Sequence, residues 1–236
     1  MKWVVGIQTC PREEDVYINH TIAGIHRAGW DQITIFAEPN SPVPVGYPVT
    51  YRPCRYGDWT NWVCAFFELF IANPDANAFV LFEDDITLSM HIRNYLDWAI
   101  PKLGRFGCLS LYTPPTHHSD WKGWHDEADA GWALSGAQGM VFTRPSLQRF
   151  LSDPKILEYR FDEIGKKNAH KDCAIGKWAC KKERVLYHTP SLIDHRGIQS
   201  LIGTKNHQAV DYVGDDFDCE TLIGEVKVLP AKSQIF

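Results

Sequence analysis

Apolar and polar positions alternate along the first half of this chain in blocks that switch between strand and helix periods. Trp3 to Ile7 is an apolar run suited to a buried strand, and Ile33 to Ala37 is a second. Between them, Glu13 to Ala28 carries Ile18, Ile22 and Ile25 at helical spacing. Pro39 to Pro48 reads as a loop and Val49 to Arg52 as a short strand. Asp58 to Ala72 predicts an amphipathic helix. Trp62, Phe66 and Phe70 recur every fourth residue, Trp59, Val63 and Phe67 lie beside them, and Asn73-Pro74-Asp75 ends it. Ala78 to Phe82 has the continuous apolar pattern of a central strand.

The alternation continues. A helix is predicted from His91 to Lys102, a strand from Cys108 to Tyr112, and a long polar and aromatic loop from Thr113 to Gly131. Gly139 to Thr143 is a strand, and Pro145 stands where a helix begins. Asp172 to Lys182 reads as a helix and Val185 to His188 as a strand. Patterning weakens after Gly197. Strands that alternate with helices predict an α/β fold, a mostly parallel central sheet flanked by helices. The reading is one domain, 1–236, with 198–236 as a C-terminal flap or arm.

Candidate chemistry gathers at strand ends. Glu83-Asp84-Asp85 follows the central strand directly. Three adjacent carboxylates repel one another, and a hard divalent cation, Mn²⁺ or Mg²⁺, would relieve that repulsion. In open α/β sheets ligands bind at the carboxyl ends of strands. The competing reading is a solvated acidic loop or a helix start. His195 lies past a late strand and is a candidate metal ligand or a structural hydrogen-bonder; His188 is the reserve. Asp172 is either a helix cap or a general base. Thr9 and Arg12 close the first strand on the triplet's rim, positioned for a base or phosphate, although Arg12 also reads as a surface residue. Gly57-Asp58-Trp59-Thr60-Asn61-Trp62 opens the aromatic helix, where the Trp residues read first as core. The Lys- and Arg-rich stretch 166–184 reads as a solvated helix face.

A net charge of −5 gives no support for a general polyanion binder. The seven cysteines are odd in number and lack C-x-x-C spacing, which predicts reduced thiols in a cytoplasmic protein. No run reaches about 18 apolar residues, so no membrane span is expected, and the opening apolar run is too short for a signal peptide.

Taken in order, these pieces resemble the GT-A (nucleotide-diphospho-sugar transferase) glycosyltransferases. Val80-Leu81-Phe82-Glu83-Asp84-Asp85-Ile86 is similar to the family's acidic metal motif in an E-D-D form. Gly136-Ala137-Gln138-Gly139-Met140-Val141-Phe142 is similar to the small-residue strand beside the acceptor pocket. Pro190-Ser191-Leu192-x-x-His195-x-Gly197 resembles a late segment that supplies a metal-binding His, most nearly in the N-acetylglucosaminyltransferase IV group. The resemblance implies that Asp85 and His195 bind Mn²⁺ or Mg²⁺. Thr9, Arg12, Asn61, Glu83 and Asp84 would serve the nucleotide-sugar donor, a UDP-sugar first among them. Asp172 would be the catalytic base for a hydroxyl acceptor: a glycan, a lipid-linked sugar, a protein or a modified DNA base. The 113–131 loop, with His117, His118, Trp121, Trp124 and His125, would form an acceptor wall. A phage-type DNA-base glycosyltransferase, a metal-dependent nucleotidyltransferase and an inactive carbohydrate-binding module remain alternatives.

Overall fold

The computed structural model describes residues 1–12, 17–126, 136–162, 171–179, 182–196 and 208–224. In chain order the elements are β1 (Trp3–Thr9), α1 (Ile18–Arg27), β2 (Ile33–Ala37), β3 (Val49–Tyr51), α2 (Gly57–Ala72) and β4 (Ala78–Glu83). Then come β5 (Ile86–Leu88), α3 (Ile92–Ala99), β6 (Cys108–Ser110), β7 (Gly123–Asp126), β8 (Gly139–Thr143) and α4 (Arg144–Leu151). α5 (Pro154–Asp162), α6 (Lys171–Ala179), β9 (Val185–Thr189) and β10 (Ile193–His195) complete them.

Among the described residues eight strands form one sheet in the order β3-β2-β1-β4-β8-β6-β9-β7. β3, β2, β1 and β4 run parallel, β8 runs against β4 and β6, β9 is parallel to β6, and β7 runs against β9. The sheet is therefore mostly parallel, with helices on both faces, as the sequence pattern predicts. β4 shows why its sequence is apolar throughout. Val80 and Phe82 enter the core shared with α1 and α3, while Phe79 and Leu81 enter the core shared with α2, α4 and α6. A strand covered on both faces has no polar side to show.

Two registers place the candidate site. β1 lies beside β4 with Gln8 opposite Glu83, so the loop after Thr9 and the triplet share one rim. Beyond the triplet the chain turns into β5, which pairs antiparallel with β10 so that His195 faces Ile86. Arg196 N donates to Asp85 O at 2.8 Å and extends that pairing.

The 113–131 loop departs from its expectation. Its described part contains β7, which forms the sheet edge against β9. Trp124 and His125 are buried in β7, and His117 is buried in the turn Pro115–His117; Trp124 stacks with Tyr95 and meets His188 edge-on, and His117 stacks on Tyr187. His118 and Trp121 are half-buried. Residues 127–131 lie outside the described residues. Of the C-terminal arm, 208–224 runs along β5 and α3: Cys219 N donates to Met90 O, Met90 N to Phe217 O, and Thr87 Oγ1 to Asp215 Oδ1. No helix among the described residues is long and apolar enough to cross a membrane. None of the six described cysteines forms a disulfide.

Candidate functional site

The triplet does not sit in water. Asp84 and Asp85 are buried and Glu83 is half-buried. Carboxylates taken out of water need partners, and two protein cations supply them. Arg12 Nη2 donates to Asp84 Oδ1 at 2.6 Å and to Asp85 Oδ2 at 2.7 Å. Lys171, which is 3% exposed, bonds Glu83 Oε1 and, at 2.7 Å, Asp58 Oδ1 at the start of α2. Thr9 Oγ1 donates to Asp84 Oδ2 at 2.5 Å. Thr21, from α1, fixes the backbone of the bend through Asp84 O and Ile86 O. His195 Nε2 lies 3.0 Å from Asp85 Oδ2. The other oxygen, Asp85 Oδ1, is buried without a hydrogen-bond partner among the described residues.

The three acids titrate differently because their partners differ. Burial pushes Glu83 up to about 7, with Lys171 opposing it. Burial also raises Asp84, and Arg12 opposes that rise. Asp85 resists its own burial: the hydrogen bond and charge of His195, then Arg12, hold it below the usual carboxylate range. His195 in turn is raised against its burial by Asp85. Arg12 is raised despite burial by Asp84 and then Asp85, so it stays charged.

A cavity of about 160 Å³ opens over these groups. Its wall includes Gln8, Thr9, Arg12, Asn61, Asp58, Arg55, the triplet and His195. Glu83, Asp85 and His195 present ligand atoms within 4.8 Å of one another. The orphaned Asp85 Oδ1, the adjacent imidazole and the carboxylate-rich donor set fit a hard divalent cation of the Mn²⁺ or Mg²⁺ type.

The remaining sequence candidates divide. Asn61 reaches the cavity wall, but its amide is committed: Oδ1 accepts from Arg52 Nε at 2.7 Å and Nδ2 donates to Phe36 O at 3.2 Å. Asp172 lies in the first turn of α6, half-buried, next to Lys171. Its Oδ2 accepts from Gly136 N at 2.9 Å, and burial raises its carboxyl against the pull of Lys171. It is outside the wall of the cavity over the triplet. His188, the reserve, is fully buried against Tyr95 and Pro190 O, in the core rather than the site.

Sequence reasoning missed three residues of the site, Lys171, Asp58 and Arg55. Lys171 reads as one cation in a solvated basic stretch, and Asp58 as a helix-start acid. Only the fold, which brings the starts of α2 and α6 to the end of β4, reveals their contact. Of the rest of that stretch, Lys177 and Lys182 are exposed as expected, and residues 166, 167 and 181 lie outside the described residues.

No protein-family model and no curated protein matches this chain. Among solved structures, it is similar to a protein described as mannose-1-phosphate geranyltransferase from Thermus thermophilus. The TM-score is 0.45 and the identity 10%, over 80% of this chain and 74% of that one. The functional reading therefore rests on the site itself.

Proposed function

We propose that this chain is a metal-dependent glycosyltransferase of the GT-A kind. It would move a sugar from a nucleotide-diphosphate sugar, a UDP-sugar first among candidates, to an acceptor hydroxyl. One observation carries the reading: a buried carboxylate–imidazole pair, Asp85 with His195, stands at the carboxyl end of β4 beside Thr9 and Arg12. Ligand sites of open α/β sheets form at such strand ends.

Asp85 and His195 would hold the ion. When bound, a divalent cation neutralises the donor's diphosphate and stabilises charge on the departing nucleoside diphosphate. The chain's own residues would do the rest. Asp84, fixed by Thr9 and Arg12, would meet the ribose or donor sugar. Arg12, and Arg55 exposed on the cavity wall, would present positive charge to the phosphates. Glu83 would stay on Lys171 and support the rim. Asp172 would take the acceptor proton as the hydroxyl oxygen attacks the anomeric carbon and the bond to the diphosphate breaks, with inversion. Burial raises its carboxyl, which makes it a stronger proton acceptor than an ordinary aspartate. The acceptor would be a glycan, a lipid-linked sugar, a protein or a modified DNA base.

The test is nucleoside diphosphate release from a panel of nucleotide sugars, with and without hydroxyl acceptors, in Mn²⁺ and in EDTA. Release by wild type that disappears in EDTA and in Asp85→Ala supports the reading and names the donor. Release of pyrophosphate from nucleoside triphosphates would replace it with nucleotidyl transfer. Absence of release, together with no metal-dependent thermal shift by any donor, would sink it.

A further inference from the structure

The most heavily committed cation in the cavity is Arg12, and its placement bears on how the site takes its metal. A single nitrogen, Nη2, bridges Asp84 and Asp85. The Asp85 oxygen it uses, Oδ2, is the one that also meets His195. Arg12 therefore occupies the carboxylate face that a divalent cation shared by Asp85 and His195 would claim. Its own Nε is buried without a hydrogen-bond partner among the described residues, and the guanidinium lies 5.9 Å from the centre of the Tyr17 ring. Lys171 is different. It is clamped between Asp58 and Glu83 and leaves the Asp85–His195 edge alone. The cavity, at about 160 Å³, is also smaller than the roughly 300 Å³ or more of ordinary small-molecule sites. Arg12 is part of its wall.

We propose that Arg12 is the site's built-in counter-cation: a divalent ion held by Asp85 and His195 competes with it for Asp85, so Arg12 sets the affinity of the site for that ion. A guanidinium and a divalent ion drawn to the same carboxylate repel one another, so Arg12 raises the cost of placing an ion there. Without the ion Arg12 compensates two buried charges, and on ion entry its guanidinium moves off Asp85 toward the cavity. The proposal rests on the divalent-cation site described above and deepens it.

The probe is Mn²⁺ alone, titrated by the paramagnetic resonance signal of the free ion. Proteins are wild type, Arg12→Gln and Asp85→Asn, with folding checked by circular dichroism in EDTA. Arg12→Gln is expected to bind Mn²⁺ about tenfold more tightly than wild type, and Asp85→Asn to lose binding. In parallel, phenylglyoxal labelling of wild-type Arg12, located by mass spectrometry, is expected to rise when Mn²⁺ is added. Equal or weaker binding by Arg12→Gln, while wild type binds, overturns the counter-cation role and leaves the ion site standing. If neither protein binds Mn²⁺, with or without a nucleotide sugar, the ion site itself fails and the proposal with it. If Arg12→Gln does not fold, the labelling decides: protection or no change on adding Mn²⁺ overturns the proposal.

Discussion

His195 Nε2 stands 3.0 Å from Asp85 Oδ2, joining the end of β10 to the bend after β4. The contact follows from strand register. β10 pairs with β5 so that His195 faces Ile86, one residue past Asp85. The pair also explains why, of three adjacent acids, Asp85 alone is held below the usual carboxylate range.

That relationship predicts a measurable change before any ligand is added. The imidazole of His195 is expected to titrate above an ordinary histidine in wild type, and to fall in Asp85→Asn, because its opposite charge is gone. A ¹⁵N-detected histidine titration reads this directly. An unchanged His195 would mean the two side chains do not meet. In the proposed reaction, Asp85→Asn and His195→Ala should each lower metal-dependent turnover on the order of 100-fold or more, since an ion's electrostatic help is worth several kcal/mol.

Asp172 invites a test that separates chemistry from architecture. Its carboxylate holds Gly136 N, and Gly136 has φ +80° with no room for a Cβ against the Tyr112 ring. Asp172→Asn keeps an acceptor oxygen for Gly136 but loses the base. It should lower kcat by roughly 10² to 10⁴ while donor affinity and stability hold. Gly136→Ala should instead destabilise the fold by about 1–3 kcal/mol and disturb the same segment through strain. Equal loss of stability in both variants would make Asp172 a structural residue only. Steady-state kinetics with urea unfolding of each variant decides it.

Lys171 predicts a stability effect. Its ammonium compensates Asp58 and Glu83, and both acids raise its pKa against burial. Lys171→Met should cost about 3–5 kcal/mol, because it strands carboxylates that the lysine paired. Adding Glu83→Gln and Asp58→Asn should recover most of that loss. Urea midpoints for the single and triple variants measure it. A loss in Lys171→Met that the triple variant does not recover would place the defect elsewhere.

The fold was legible wherever the burial pattern is local. β2 (Ile33–Ala37) and β8 (Gly139–Thr143) fall where their apolar runs predict, and α2 follows its aromatic stripe. β5 and β10 were invisible: each is three residues long, and neither is a strand without the other. The triplet could be located because acids placed directly after an apolar run such as β4 stand at a sheet rim, where a ligand can reach them. Its cations could not, since Arg12 and Lys171 look like surface charge until the sheet brings them to the rim. The burial of Trp124 and His125 was not legible either: a polar, aromatic stretch reads as a loop, and only the pairing of β7 with β9 shows that these two rings are covered.

The last prediction concerns acid. His188 is fully buried: Nδ1 lies 2.6 Å from Pro190 O, a carbonyl that can only accept, so Nδ1 donates. Nε2, 2.8 Å from the Tyr95 hydroxyl, is then the acceptor, and the ring is neutral. Burial pushes His188 down to about 4, with the Pro190 carbonyl opposing. An unfolded histidine titrates near 6.5. Between these values the unfolded chain binds a proton that the folded chain refuses, so stability is full above about 6.5 and is lost as pH falls toward 4. The shift corresponds to about 3 kcal/mol. Glu83, pushed up to about 7, titrates in the opposite sense across the same window, because the folded state there binds the extra proton. The wild-type profile alone is therefore a sum over several shifted groups, with Asp84, Asp172 and His195 also raised. The difference between wild type and His188→Asn isolates the histidine. Urea unfolding from pH 7 to 4.5 should show wild type losing stability relative to the variant as pH falls. Parallel profiles would show that His188 is not the buried neutral base that its contacts with Tyr95 and Pro190 describe.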